Sequence, residues 1–450
     1  MENFDYLIIG ADAAGLSAAV QIRNNQKNAT IGILEKGKII SYGACGLPYV
    51  ISGDVADFKN LIHFSPEKFE KSYQVKIFTE TEAIAVDFKQ NSVQCKQNDI
   101  ASSFSYGKLL IATGASPVRL PVLDYTSDKI HVLKTIADGS AILNQVHNPE
   151  NTDITIIGAG YIGLELAEAL HKQGKQVRIL DLAQRPADRM PEKISKHILS
   201  QMEEFGISFL PQTQIQKIQI HPGSIEIFTQ DQTIHTNLIV SATGIRPATE
   251  FLKDSTLEMQ KGAIVIDRSG KTNIDNVYAA GDCAMVYHIL KNQNVYFPLG
   301  STANKQGRIA GLSISGEQTQ FPGIVGSRIF KFFDKAYAAT GLSEDEAREL
   351  GFDPVSATAI RNNTAGYYPG GEKTEVTLVI NKTDGVILGG YLSGPLASSG
   401  MIDTIAVMAQ KRMTADEASW LDAAYAPPFA PVWNAYTSAA GKFRIKTNKD

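Results

Sequence analysis

The apolar positions of this chain fall into two textures. In the first two thirds they cluster in short stretches of five residues, at 5–9, 30–34, 153–157 and 176–180. The first, Asp5-Tyr6-Leu7-Ile8-Ile9, is a short apolar run with the pattern of a strand buried on both faces of a parallel sheet, and the other three read as strands beside helices. Stretches of small or amphipathic residues lie between them, at 16–20 and 164–172, and predict helices. Beyond about Gly323 the apolar residues alternate with polar ones, at 328–332, 375–380 and 386–390, and helical stretches follow at 404–410 and 415–424. The expectation is an α/β chain of two parallel-sheet units followed by a separate α+β unit. Residues 425–433 are proline-rich, carry three aromatics and predict a stiff arm, or simply a packed terminal segment. Residues 442–450 are polar and predict a frayed end.

The turns between strand and helix carry the chemistry. After the first run comes Gly10-Ala11-Asp12-Ala13-Ala14-Gly15, and the next run ends at Glu35. Such a turn brings backbone N–H groups and a helix N-terminus to a pyrophosphate, and the acid meets a ribose hydroxyl. Asp12 stands where the middle glycine belongs, so a plain strand–helix packing turn competes with that reading. The second copy, Gly158-Ala159-Gly160-Tyr161-Ile162-Gly163 closed by Asp181, has all three glycines. Two copies on one chain predict two Rossmann-like units for two dinucleotides. Asp181 favours NADH over NADPH, although Arg185 and Arg189 follow closely and keep NADPH as the alternative. The segments Ala112-Thr113-Gly114 and Ala242-Thr243-Gly244, each leading to a proline, predict crossovers where backbone passes close to a cofactor. Asp282 of Ala280-Gly281-Asp282 is placed to accept from a ribityl chain or to cap a helix. The segment 298–307, with Thr302 and Ala303, opens a helix whose bare N-terminus favours negative charge.

Composition narrows the rest. A chain of 450 residues needs two or three cores. A net charge of −4 gives no reason to expect nucleic acid or an anionic membrane as partner. No apolar run approaches the ~20 residues of a membrane span. The first residues lack the basic start of a signal peptide. Three cysteines make no disulfide framework and point to a reducing cytosol. There, Cys45 between Ala44 and Gly46 has little bulk around its sulfur and reads as a redox thiol set against a flavin. No second cysteine lies at CxxC or CxxxxC spacing from it, so it must cycle through a mixed disulfide or a sulfenic acid. A nearby helix N-terminus is expected to keep its thiol acidic. Cys95 and Cys283 read as structural.

Taken together, residues 5–433 resemble the two-dinucleotide FAD/NAD(P) disulfide reductases. More narrowly they are similar to the single-cysteine branch that holds coenzyme A-disulfide reductase, NADH oxidase and NADH peroxidase. The string Cys45-Gly46-Leu47-Pro48-Tyr49 is similar to the coenzyme A-disulfide reductases, while Ala13 stands where the peroxidases carry a histidine. The resemblance implies a division of 1–114 with 245–322 for FAD, 115–244 for NAD(P)H, and 323–450 as a C-terminal domain. It implies an FAD site of Gly10, Ala14, Gly15, Glu35, Lys36, Ser41, Ala83, Ala112, Thr113, Gly114, Gly281, Asp282, Thr302 and Ala303. It implies an NAD site of Gly158, Gly160, Tyr161, Ile162, Gly163, Glu165, Asp181 and Gly244. Tyr161 resembles a gate over the flavin, and Glu165, one helical turn on, a contact to the nicotinamide carboxamide; a plain helix acid is the alternative. The C-terminal unit would be a dimerisation domain, and Tyr367 and Tyr425 would reach the partner's Cys45 in a cytoplasmic homodimer. The acceptor implied first is coenzyme A disulfide, with a persulfide, a polysulfide or dioxygen after it. An oxidase working through a Cys45 sulfenic acid is the alternative, and a non-enzymatic redox sensor a distant third. The family pattern is broken at Ala44, and at Asn24 and Tyr73, where basic residues usually hold coenzyme A phosphates; Arg23, Lys68 and Lys71 are the nearby substitutes.

Overall fold

A computed structural model describes residues 2–97 and 100–447. The runs that open the chain form the middle of a seven-stranded sheet. Its order is Lys76–Phe78, Ile31–Leu34, Glu2–Ile9, Ile100–Ile111, Ser92–Gln97 and Thr81–Asp87, with Val277–Ala279 also paired to the long strand Ile100–Ile111. The pairs from Lys76–Phe78 across to Ile100–Ile111 are parallel, and the last two strands turn back antiparallel. Ile8 pairs with Ile33 on one side and Leu110 on the other, and its side chain is fully buried in a core shared with Ala14, Ala18 and Ile22 of the helix that covers that face. Helices Ala13–Asn25 and Gly300–Ile314 cover this sheet and lie very close together. A Cβ on Gly307 would stand 2.2 Å from the Ala14 carbonyl oxygen, and one on Gly311 2.6 Å from that of Ala18.

The second unit repeats the plan with a five-stranded parallel sheet, ordered Ser208–Leu210, Gln176–Leu180, Asp153–Ile157, Leu238–Ser241 and Ile130–Val132. A three-stranded antiparallel sheet, Ile215–His221, Ser224–Thr229 and Thr233–Thr236, is attached to it. The two connections between the units run side by side, Ala115–Pro117 pairing antiparallel with Ile245–Pro247.

The C-terminal unit is one antiparallel sheet of five strands, in the order Arg328–Phe332, Lys335–Gly341, Ile387–Pro395, Lys373–Asn381 and Pro354–Asn362. Helices Met401–Gln410 and Ala435–Thr447 bury one face, through Ile402, Ile405, Ala439 and their neighbours. The other face, with Phe330, Phe332 and Tyr337, shares a core with Leu164, Leu166 and Ala167 of helix Tyr161–Lys172. Two expectations are corrected here. Residues 442–447 continue a helix because Ala435, Ala439, Ala440 and Phe443 repeat an apolar stripe that docks on the sheet; residues 448–450 lie outside the described residues. The helix expected over 415–424 stops at Ser419, after a single capped turn. No helix among the described residues is long and apolar enough to cross a membrane.

Candidate active site

The two glycine turns are built alike. Gly10 has φ +110°, and its Cβ would meet the Ala112 oxygen at 2.2 Å; Gly158 has φ +108°, and its Cβ would meet the Ala242 oxygen at 2.4 Å. Only glycine tolerates both the dihedral and the approach. Each turn therefore rests on one Ala-Thr-Gly segment. The third glycines, Gly15 and Gly163, clear the oxygens of Gly10 and Gly158, which a Cβ would approach to 1.9 Å. The acids hold the turns from behind. Ala11 N–H donates to Glu35 Oε2 at 2.9 Å and Gly37 N–H to Oε1 at 2.7 Å. Ala159 N–H donates to Asp181 Oδ2 at 2.5 Å and Ala183 N–H to Oδ1 at 2.8 Å. Lys36 pairs with Glu82 at the exposed rim, and Ala83 stands on the strand whose Thr81 N–H bonds the Glu35 carbonyl.

The surfaces these turns present suit extended nucleotides. A Cβ at Gly114, Gly160, Gly244 or Gly300 would meet nothing within 4 Å, whereas Thr113 Oγ1 is buried without a hydrogen-bond partner. Backbone amides, open glycine faces and an unpaired hydroxyl beside the first turn are what a dinucleotide requires. Gly281, at φ +83°, lets Ala14 and Ala303 converge on it, and its N–H donates to Gln306 Oε1 at 3.1 Å. Thr302 is buried beside Ala303. Ser41 adopts φ 51° and donates its N–H to the Ala11 carbonyl at 3.1 Å. Asp282 caps no helix; burial raises its carboxyl and Lys134 opposes the rise.

Cys45 sits in the single turn Ala44–Gly46 that leads into helix Leu47–Ile51. Gly46 packs closely there: a Cβ would stand 2.4 Å from Leu61 Cδ2, and the leucine tip would have to turn aside. The thiol lines a large cleft together with Lys134, Tyr161, Glu165, Asp282 and Gly300, which brings the cysteine of the first unit to the nucleotide turn of the second. Its residue is exposed because the cleft is open, yet protein closes round the sulfur on the other sides. Burial raises the thiol above its ordinary value; Glu165, Asp282 and Asp12 add to that, and Lys134 opposes them. The acidic thiol expected from a helix terminus is thus corrected: helix Leu47–Ile51 has only five residues, and burial first, then the surrounding carboxylates, raise the thiol.

On the far wall, Tyr161 stacks on Phe330 at 4.8 Å between ring centres and 23° between planes. Glu165, one turn on, accepts a hydrogen bond from Tyr49 Oη at 2.9 Å, and burial lifts its carboxyl to about 7. Ile162 is exposed into the same cleft. Glu168, a further turn along and buried, receives Lys331 Nζ, Lys172 Nζ at 3.0 Å and the Phe333 N–H at 2.7 Å. The strand after Arg328 is thereby tied to the nucleotide helix. Tyr367 and Tyr425, 58 residues apart, join hydroxyl to hydroxyl at 3.0 Å on the surface. They are 77% and 46% exposed, and neither lines the cleft that their own Cys45 lines.

Arg23 is not free to bind anything. Its guanidinium donates to the carbonyls of Tyr73, Gln26, Lys27, Ala29 and Gln74 at 2.6–3.0 Å. The expectation that it substitutes for a phosphate-binding residue is therefore overturned. Lys68 lies over the Phe64 ring at 5.3 Å, and Lys71 is exposed. Cys95 is fully buried in its strand, and Cys283, also buried, has its Sγ 3.4 Å from the Ile111 and Ala280 carbonyls. The sequence reading did not single out Tyr49, Lys134, Glu168 or Lys331. Of these only Tyr49 left a signal, one turn beyond Cys45 in the same string.

Two nucleotide cradles facing one exposed thiol define a nucleotide-dependent oxidoreductase. The chain belongs to the pyridine nucleotide-disulphide oxidoreductase family: residues 4–307 match its model, and residues 328–435 match that of its dimerisation domain. Members of this family use FAD and NAD(P)H. The chain is 31% identical to an NADH oxidase of Methanocaldococcus jannaschii over 437 residues, 96% of this chain and 97% of that one. It is also 31% identical to the NAD(P)H coenzyme A polysulfide/persulfide reductase of Pyrococcus horikoshii, across 95% of this chain and 96% of that one. Among solved structures, an NAD-dependent persulfide reductase from A. fulgidus superposes with a TM-score of 0.94 at 30% identity, covering 99% of this chain and 84% of the other.

Proposed function

We propose that this enzyme passes electrons from NADH through FAD to Cys45, and from Cys45 to a disulfide or persulfide, coenzyme A disulfide being the leading candidate. The observation that carries the reading is the placement of Cys45 in one cleft with Tyr161 and Glu165 on one side and Asp282 and Gly300 on the other. The first turn, Ser41, Asp282 and Thr302–Ala303 would hold FAD, and the second turn with Glu165 and Gly244 would hold NADH. The bound flavin supplies the two-electron exchange between nicotinamide and sulfur.

Cys45 provides the nucleophile. As thiolate it attacks one sulfur of the acceptor, forming a mixed disulfide and releasing the other half as a thiolate that takes a proton. The single electron pair that NADH provides then cleaves that mixed disulfide, returning Cys45 to the thiolate as the second half of the acceptor leaves as a thiolate and takes a proton. Lys134 is the cation that favours the thiolate against three carboxylates. Tyr161 must leave the Phe330 ring for the nicotinamide to enter. We further propose a homodimer in which the Tyr367–Tyr425 pair hydrogen-bonds the sulfur at the partner's Cys45, working in a reducing compartment such as the cytosol.

An oxidase reading, with dioxygen reduced through a Cys45 sulfenic acid, is favoured by one observation. The five carbonyls on Arg23 withdraw a cation that a large anionic acceptor would need and that a small neutral one would not. Cys45→Ser tests the main reading. It should abolish NADH-dependent disulfide or persulfide reduction, by more than about a hundredfold, while FAD stays bound. Undiminished reduction by the variant would sink it.

A further inference from the structure

Tyr49 stands four residues after Cys45, on helix Leu47–Ile51, and belongs to the first unit by sequence. Its hydroxyl reaches across to the second unit and donates to Glu165 Oε1 at 2.9 Å. Both ends of that bond are held. The Tyr49 carbonyl accepts from the Val55 N–H at 2.9 Å and from Ser52 Oγ at 3.0 Å. Leu47, Val50 and Ile51 of its helix share a core with Leu164 and Leu166 of the Glu165 helix. The phenol thus links the two units through the carboxylate, which cannot swing without breaking that bond.

We propose that Tyr49 is a positioning residue: its hydroxyl fixes the Glu165 carboxylate so that the remaining lone pairs accept the N–H of the nicotinamide carboxamide. The proposal rests on the reading above that Glu165 meets that carboxamide. A carboxylate offers about four acceptor sites, so the tyrosine bond leaves capacity for an amide donor. Losing the hydroxyl leaves the Glu165 carboxylate held by the Lys331 backbone N–H alone, and its terminal torsion, broad and close to two-fold, is less restrained. Binding would then have to supply the ordering that Tyr49 now provides.

The test compares two probes on the FAD-loaded enzyme. NAD+ carries the carboxamide; ADP-ribose fills the same turn without it. In Tyr49→Phe, NAD+ should bind about five- to tenfold more weakly, while ADP-ribose should bind within about twofold of wild type. Glu165→Ala should show the same selective loss, and the double variant should be no weaker than Glu165→Ala alone, because Tyr49 acts through Glu165. The flavin spectrum and melting temperature of Tyr49→Phe verify that only the hydroxyl has changed. Three results overturn the proposal. If Glu165→Ala loses NAD+ selectively and Tyr49→Phe does not, Tyr49 has no positioning role and the assignment of Glu165 stands. If the two losses multiply in the double variant, or Tyr49→Phe weakens both probes equally, the tyrosine acts by another route. If Glu165→Ala binds both probes as wild type does, the carboxamide assignment itself fails.

Discussion

Asp12 stands where a nucleotide turn ordinarily has glycine, and its surroundings only partly offset the charge it brings. Its tip reaches solvent, but protein closes round the rest, and burial pushes its carboxyl up to about 6; Lys134 opposes the rise and Glu35 adds to it. A carboxyl at about 6 is neutral below that pH and charged above it. If the first turn holds the FAD pyrophosphate, FAD affinity should fall as pH rises through 6, and Asp12→Asn should remove that dependence. Titration of FAD-stripped protein by flavin fluorescence should show the variant binding about three- to tenfold tighter at pH 8 and nearly equally at pH 5. An unchanged pH profile would place Asp12 away from the phosphates. At this scale the sequence exposed residues that work through the backbone. Gly10, Gly158 and Gly46 are legible because a missing Cβ is visible in the letters. The partners of Tyr49 and Glu168 were not, since they come from another unit; the place of Tyr49 in the Cys45 string hints at a role without saying which residue it meets.

Among the elements, the closest packing joins helix Ala13–Asn25 to helix Gly300–Ile314. Two opposed effects act at Gly307. Alanine raises helix propensity by about 1 kcal/mol, but its Cβ would stand 2.2 Å from the Ala14 carbonyl oxygen. That oxygen is backbone and cannot rotate aside, so overpacking prevails. Gly307→Ala should destabilise the FAD-loaded enzyme by about 1–3 kcal/mol, read from the urea midpoint at unchanged slope. An unchanged or higher midpoint would show that the helices separate easily. The parallel strands and both turns were legible because apolar runs and glycines sit at fixed intervals. The three-stranded sheet of residues 215–236 and helix Ala435–Thr447 were not. The strands there are partly exposed and mix polar with apolar residues, and the helix docks through an alanine stripe too weakly apolar to mark a face in the sequence.

For the whole molecule, the C-terminal sheet is anchored twice to the second nucleotide unit, by the shared core around Phe330 and Phe332 and by the Glu168 cluster. That leaves Tyr367 and Tyr425 facing outward, away from their own Cys45. If they serve the partner's thiol, co-expressing Cys45→Ser with the Tyr367→Phe/Tyr425→Phe double variant should restore activity that neither has alone. Random pairing gives one complete site in half of the dimers, about a quarter of the wild-type rate. No recovery from confirmed mixed dimers would confine the tyrosines to structure or to their own chain. The two-unit plan was legible from the repeated motif. The outward placement of the tyrosine pair depends on how the units dock, which no single stretch of sequence records.

The central claim is that Cys45 alternates between thiolate and a bond to the acceptor, and intact-mass spectrometry reads this directly. Disulfide-treated enzyme should carry the mass of one acceptor thiol per chain, lost on adding NADH and never acquired by Cys45→Ser. With air alone as oxidant, a gain of one oxygen at Cys45 would select the oxidase reading. A wild-type mass that stays the same through turnover, matching Cys45→Ser in every condition apart from the substituted atom, would contradict the account.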